Sequence, residues 1–129
     1  MSKEKLRARH KLANGLCLEV WDRSRPVAGD RWQVVLEARM AVPVTAANLP
    51  AELVPDEAAV GTALGQEVVY CRRDERNFIA LGEVADILKE MESRLLELVP
   101  SYLGHPDFAP RFLRRKYAEY RAKQSWQRA

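Results

Sequence analysis

The hydrophobic pattern of this chain changes period partway along, and that change limits the folds open to it. Over residues 15 to 21, Leu16, Leu18 and Val20 alternate with Cys17, Glu19 and Trp21. Over residues 31 to 42, Trp32, Val34, Leu36, Ala38 and Met40 alternate with Gln33, Glu37 and Arg39. A two-residue repeat puts successive side chains on opposite faces, as a half-buried strand requires. After Gly82 the repeat lengthens. At about 100° per residue, Val84, Ile87, Leu88, Met91, Leu95, Leu98 and Tyr102 share an arc of roughly 100°, the width of a core-facing helical stripe.

Strands followed by helices predict an α+β domain. The segment between the first two strands, residues 22 to 30, contains Pro26 and Gly29 and predicts an antiparallel hairpin with a loop longer than the tight two-residue kind. Pro43, Pro50 and Pro55 interrupt the next segment, where Asp56 is placed to cap a short helix over residues 57 to 64 with Gly65 as its stop. Val68, Val69, Tyr70 and Cys71 predict a third strand over residues 66 to 73; a charged turn at residues 72 to 76 and a brief fourth strand at Phe78 and Ile79 follow. The helix after Gly82 ends or kinks ahead of Pro100, because proline disfavours helical geometry in the residue before it. A second helix starts around Pro106 and Asp107 and runs to about residue 124, with Ala109, Leu113, Tyr117 and Tyr120 along one stripe. The expected architecture is an antiparallel three- to four-stranded sheet, a β-meander, followed by two C-terminal α-helices packed on one face. Residues 13 to 129 form this single domain, and residues 1 to 12 form a basic N-terminal tail.

A chain of 129 residues with 47% hydrophobic and 30% charged residues has enough apolar surface for a core without metal or disulfide staples. Its longest uncharged stretch, residues 40 to 51, is far short of the roughly 18 apolar residues of a membrane helix and is broken by two prolines. The basic N-terminus is followed by no apolar run of the signal-peptide kind, so a cytoplasmic protein without a membrane partner is expected. Cys17 and Cys71 have neither CxxC spacing nor a nearby His, and are expected as buried, reduced thiols.

The net charge of +3 conceals a strong segregation. Residues 1 to 11 hold five Lys/Arg against one Glu, residues 107 to 129 hold seven against two acids, and the stretch between holds nine against fifteen. Such segregation shapes association and solubility more than fold. The candidate partner- or anion-binding residues are therefore Arg111, Arg114, Arg115 and Arg121 on the last helix, with Tyr117, Tyr120 and Trp126 interleaved. The preceding helix carries Asp86, Glu90 and Glu97 on its outer side. Two copies related by a two-fold axis would set each acidic face against a basic one, with Phe108, Phe112 and Trp126 supplying apolar area. The expected function is a small binding or regulatory protein acting through protein contacts and associating with itself. The alternative is a nucleic-acid-binding accessory protein using the basic helix, and the third reading is a small-ligand-binding domain or enzyme whose site is assembled from distant residues. His10, His105 and the five serines lie in no recognisable catalytic context, Asp22, Asp30, Asp74 and Glu75 are expected to serve strand ends and turns, and no cofactor or metal is expected.

Overall fold

The alternating segments are strands of one antiparallel sheet. A computed structural model describes residues 4 to 128; residues 1 to 3 of the expected tail and residue 129 of the expected domain lie outside the described residues. Strands β1 (Lys5–Lys11), β2 (Cys17–Asp22), β3 (Arg25–Ala28) and β4 (Arg31–Pro43) precede helix α1 (Glu57–Leu64), after which come β5 (Glu67–Ala80), α2 (Val84–Glu97) and α3 (Phe108–Arg128). β1 pairs with β2 and β2 with β4; β3 continues along the same edge of β4 beyond β2, and β5 takes the other edge. The arrangement is a meander, with α1 in the connection between β4 and β5.

Register decides which side chains reach the core. Leu18 lies opposite Met40 and Val20 opposite Ala38, and Tyr70 of β5 lies opposite Met40 on the other side. All five are buried, with Val34, Leu36 and Val42 completing the apolar face of β4. Against this face α2 sets Leu88, Met91 and Leu95, with Val84, Ile87 and Leu98 half-buried at the margin, as its stripe predicts. Tyr102, assigned to the same stripe, lies beyond the end of α2 and remains 41% exposed. α3 packs against α1 and brings Phe108, Ala109, Phe112 and Leu113 into the same core, so three helices share one face of the sheet.

Four expectations give way. Residues 5 to 11 of the basic stretch are not a tail but the edge strand β1; alternate side chains fit a sheet edge, with Ala8 and His10 turned toward the core face and Arg9 paired with Glu19 on the other. β2 and β4 are antiparallel neighbours with a long connection, as expected, but that connection is not a plain loop: it holds β3, whose own hairpin with β4 closes tightly, since Ala28 lies opposite Arg31 and leaves only Gly29 and Asp30 as the turn. Gly29 has φ of +55°, where a side chain would be strained, and Pro26 sits on a strand whose free edge does not need its missing N–H. The charged segment at residues 72 to 76 is not a turn, since β5 runs unbroken from Glu67 to Ala80. Residues two apart share a face of a strand, so the order Arg72, Arg73, Asp74, Glu75 pairs Arg72 with Asp74 on one face and Arg73 with Glu75 on the other. A bulge displaces this strand near its end, where Phe78 adopts φ of +56° and leaves its ring 72% exposed. Finally, Cys17 and Cys71 are free thiols on the exposed face of the sheet rather than buried ones.

The joint between α2 and α3 depends on proline and glycine. Pro100 has no N–H to continue the α-helical ladder, and the chain widens into a π turn over Val99–Leu103 in which Leu103 N donates to Leu98 O and Gly104 N to Val99 O. Asn14, from the β1–β2 hairpin, clamps this joint by donating to the carbonyls of Leu103 and His105 at 2.9 and 3.1 Å. A Cβ on Gly104 would lie 2.9 Å from Val99 O and 3.2 Å from Val99 Cγ1, so the π turn would have to move. Gly104→Ala is therefore expected to lower stability by about 1–3 kcal/mol in urea unfolding. Gly61→Ala in α1, where nothing lies within 4 Å of the new methyl group, is expected to raise it by about 0.5–1 kcal/mol.

Candidate functional site

Pro106 and Asp107 precede α3, and the first two turns of that helix bury aromatic rings. Phe108 and Phe112 are one turn apart and stack at 5.6 Å, and both meet Tyr70 edge-on at 5.3 and 5.8 Å. Tyr102, from the π turn, approaches Phe108 edge-on at 5.2 Å and Tyr70 at 6.4 Å. Edge-to-face contacts of this kind contribute about 0.5–1.5 kcal/mol beyond area burial and fix ring orientation. With exposures of 3% and 4%, Phe108 and Phe112 are core residues and are not available to a second copy, contrary to the expectation from sequence.

Above this aromatic floor lies an open cleft of about 450 Å³, within the size range of small-molecule sites. Ser101 and Tyr102 form one wall and Arg111 and Arg115 the other, with His105 and Asp107 between them. The cleft joins two of the four arginines singled out by sequence. Arg111 and Arg115 are four residues apart on one side of α3, whereas Arg114 turns away to donate to Glu52 and Arg121 lies over the ring of Tyr117 at 5.8 Å. Arg115 also lies 5.7 Å above Phe112. Tyr102 and the adjacent Tyr70 were absent from the sequence-derived set. The helical period assigned Tyr102 to a buried stripe, and Tyr70 reaches the site only through the register of β5 with β4.

The protonation chemistry of the cleft follows from its contacts. The backbone N–H of Asp107 donates to His105 Nδ1 at 3.0 Å, so the neutral ring carries its hydrogen on Nε2. Burial and neighbouring Tyr102 push the Tyr70 hydroxyl up, while Arg72 and Arg115 draw it down. Among the described residues no group of three His, Cys, Asp or Glu side chains converges to hold a metal.

The opposite face of the sheet carries a second polar assembly, which is closed. Glu37, 5% exposed, accepts from Arg23 at 2.9 Å and Arg39 at 2.6 Å; Glu4 bonds Arg39 and approaches Arg23; and Arg39 lies 4.9 Å over Trp21, whose Nε1–H donates to Glu19. Burial raises the Glu37 pKa, but the bonds from Arg39 and Arg23 outweigh it and bring it down to about 2. Although Cys71 is exposed, partial desolvation by its neighbours and contact with Glu37 push its thiol up, which makes it a poor thiolate nucleophile. Asp22 accepts from the N–H of Ser24, whose hydroxyl in turn accepts from Val35 N, so both are structural at the β2–β3 junction.

The ionised form of Glu37 belongs to the folded state, and its contribution is full above the ordinary value of 4.5 and is lost as pH falls toward about 2. Glu37→Gln is expected to cost about 2 kcal/mol at neutral pH. Over that acid range the variant should lose less further stability than the parent protein, and urea titrations at a series of pH values measure both effects. No protein family, characterised protein or solved structure matches this chain.

Proposed function

We propose that this is a small cytoplasmic binding or regulatory protein that acts through protein contacts and associates with itself through the C-terminal half of α3. The observation that carries the reading is that α3 extends past the domain. Every side chain from Arg121 to Trp126 is exposed, and Trp126 is 86% exposed at the far end. Covering a Trp removes roughly 150–250 Å² from water, which corresponds to about 4–6 kcal/mol, so an aromatic group in this position favours a partner. A second copy supplies complementary charge, because Asp86, Glu90 and Glu97 are exposed on α2 while Arg121 and Lys123 are exposed on α3. A two-fold axis satisfies both contacts at once, with the ion pairs orienting the dimer and the apolar area holding it. Free, unbridged Cys17 and Cys71 fit a reducing compartment, and among the described residues no helix is long and apolar enough to cross a membrane.

A nucleic-acid reading uses the same arm, since Arg121, Lys123 and Trp126 combine cations with an exposed ring. The two readings separate in solution. Sedimentation velocity over a range of protein concentration is expected to show a monomer–dimer equilibrium that weakens at high salt and shifts to monomer in Trp126→Ala. Electrophoretic shift assays with duplex DNA and single-stranded RNA at low salt are expected to show no complex. A monomer at every concentration and salt removes the self-association reading, and a complex with a steep salt dependence establishes the other.

A further inference from the structure

The arginines of this protein differ in how closely they are paired, and Arg31 and Arg72, like the two in the cleft, reach a carboxylate only at 3.8 and 3.6 Å. Arg7, Arg9, Arg23, Arg39 and Arg73 each donate to a carboxylate at 3.1 Å or less. Arg111 and Arg115 do not: their nearest carboxylates, Asp107 and Glu119, are both 3.8 Å away, so the guanidinium donors facing the cleft have no hydrogen-bond acceptor among the described residues. The same cleft carries the exposed ring of Tyr102, the hydroxyl of Ser101 and the carboxylate of Asp107, which itself is bonded to neither Arg111 nor His105, each 3.8 Å distant. A carboxylate within a basic cleft repels a bare anion but accepts from hydroxyl groups. The preferred ligand therefore combines an anion, hydroxyl donors and a flat ring.

We propose that the cleft at the start of α3 binds a nucleoside monophosphate, with the phosphate on Arg111 and Arg115, ribose hydroxyls on Asp107 and the base against Tyr102. Two guanidiniums one helical turn apart suit the several oxygens of a phosphate, and a base finds an aromatic surface that accepts any π face. The volume of about 450 Å³ accommodates a ligand of that size. The site does not involve the exposed arm of α3, so it stands whether or not the protein self-associates.

Isothermal titration of the full chain at low salt with adenosine monophosphate tests this, alongside adenosine, inorganic phosphate and ribose 5-phosphate. Saturable binding of the nucleotide is expected, with each of the other three at least about tenfold weaker. Arg111→Ala and Arg115→Ala should each weaken it about tenfold or more, and Tyr102→Leu should weaken it while leaving phosphate affinity unchanged. Arg114→Ala removes the same charge from the same helix but outside the cleft, and should leave affinity unchanged. Circular dichroism confirms that each variant is folded. The proposal is overturned by absence of heat at millimolar nucleotide, by phosphate or ribose 5-phosphate binding as tightly as the nucleotide, or by Arg114→Ala weakening binding as much as Arg111→Ala.

Discussion

Thirteen consecutive residues of β4 pair with three other strands, and both faces of the strand are committed. On one face Val34, Leu36, Ala38, Met40 and Val42 are all buried beneath the helices. The larger of these each contribute about 1.5–3 kcal/mol relative to exposure. On the other face Val35 and Glu37 are buried with no helix above them, covered instead by side chains of neighbouring strands and the β2–β3 junction. A register slip of one residue would bring Glu37 into the apolar core and expose the whole row of aliphatic groups. The buried carboxylate thus opposes mispairing as well as contributing to stability. That single register also carries Tyr70 to the floor of the aromatic cluster, so the geometry of the cleft is inherited from β4.

The segregated charge has two destinations in the fold. Over the sheet, positive and negative side chains alternate at two-residue and cross-strand spacing, and they neutralise one another in bonded pairs such as Arg9 with Glu19 and Arg73 with Glu75. Around α3 the cations outnumber the acids within reach, and the pairs that form are long or lie at the helix surface, as in Arg115 with Glu119. Exposed pairs of that kind hold an arginine only weakly. Most of the close pairs therefore lie on the sheet, while on α3, apart from Arg114 with Glu52, the cations are held only by long pairs beside the aromatic rings.

Period and punctuation made much of this architecture legible in the sequence. Alternation located β2 and β4, the stripe from Val84 to Leu98 placed α2, and Asp56 with Gly65 marked the limits of α1 as they occur. Two of the misreadings, the tail and the turn, share a cause: hydrophobicity marks a strand poorly where, as in β1 and the middle of β5, charged residues outnumber apolar ones. β1 and the middle of β5 are held by cross-strand and same-face ion pairs, a pattern in which Arg72, Arg73, Asp74 and Glu75 read as a turn until their i, i+2 pairing is considered. Of the cleft, only Arg111 and Arg115 were legible. Their separation from Arg114 and Arg121 depends on where Glu52 and Tyr117 lie, and that is set by tertiary packing.

The two halves of α3 have different physical support. From Phe108 to Leu113 the helix is fastened by buried rings and aliphatic groups, whereas from Arg121 to Trp126 no side chain is covered. An isolated helical segment of a few turns is marginal in water, because nucleation is costly and each added residue contributes little. The outer half borrows its nucleus from the packed inner half and is reinforced by local contacts, including Lys116 with Glu119, Gln124 with Tyr120 and the stacked rings of Tyr117 and Tyr120. Fraying of the unpacked outer turns is the low-energy motion of such a helix. A partner that covers Trp126 must first oppose that fraying, and its net affinity is the burial of the ring less the cost of holding the last turns in place. Local pairs along the arm reduce that cost before any partner arrives. In this way α3 combines a rigid base, which also shapes the cleft, with a partly prepared contact surface at its end.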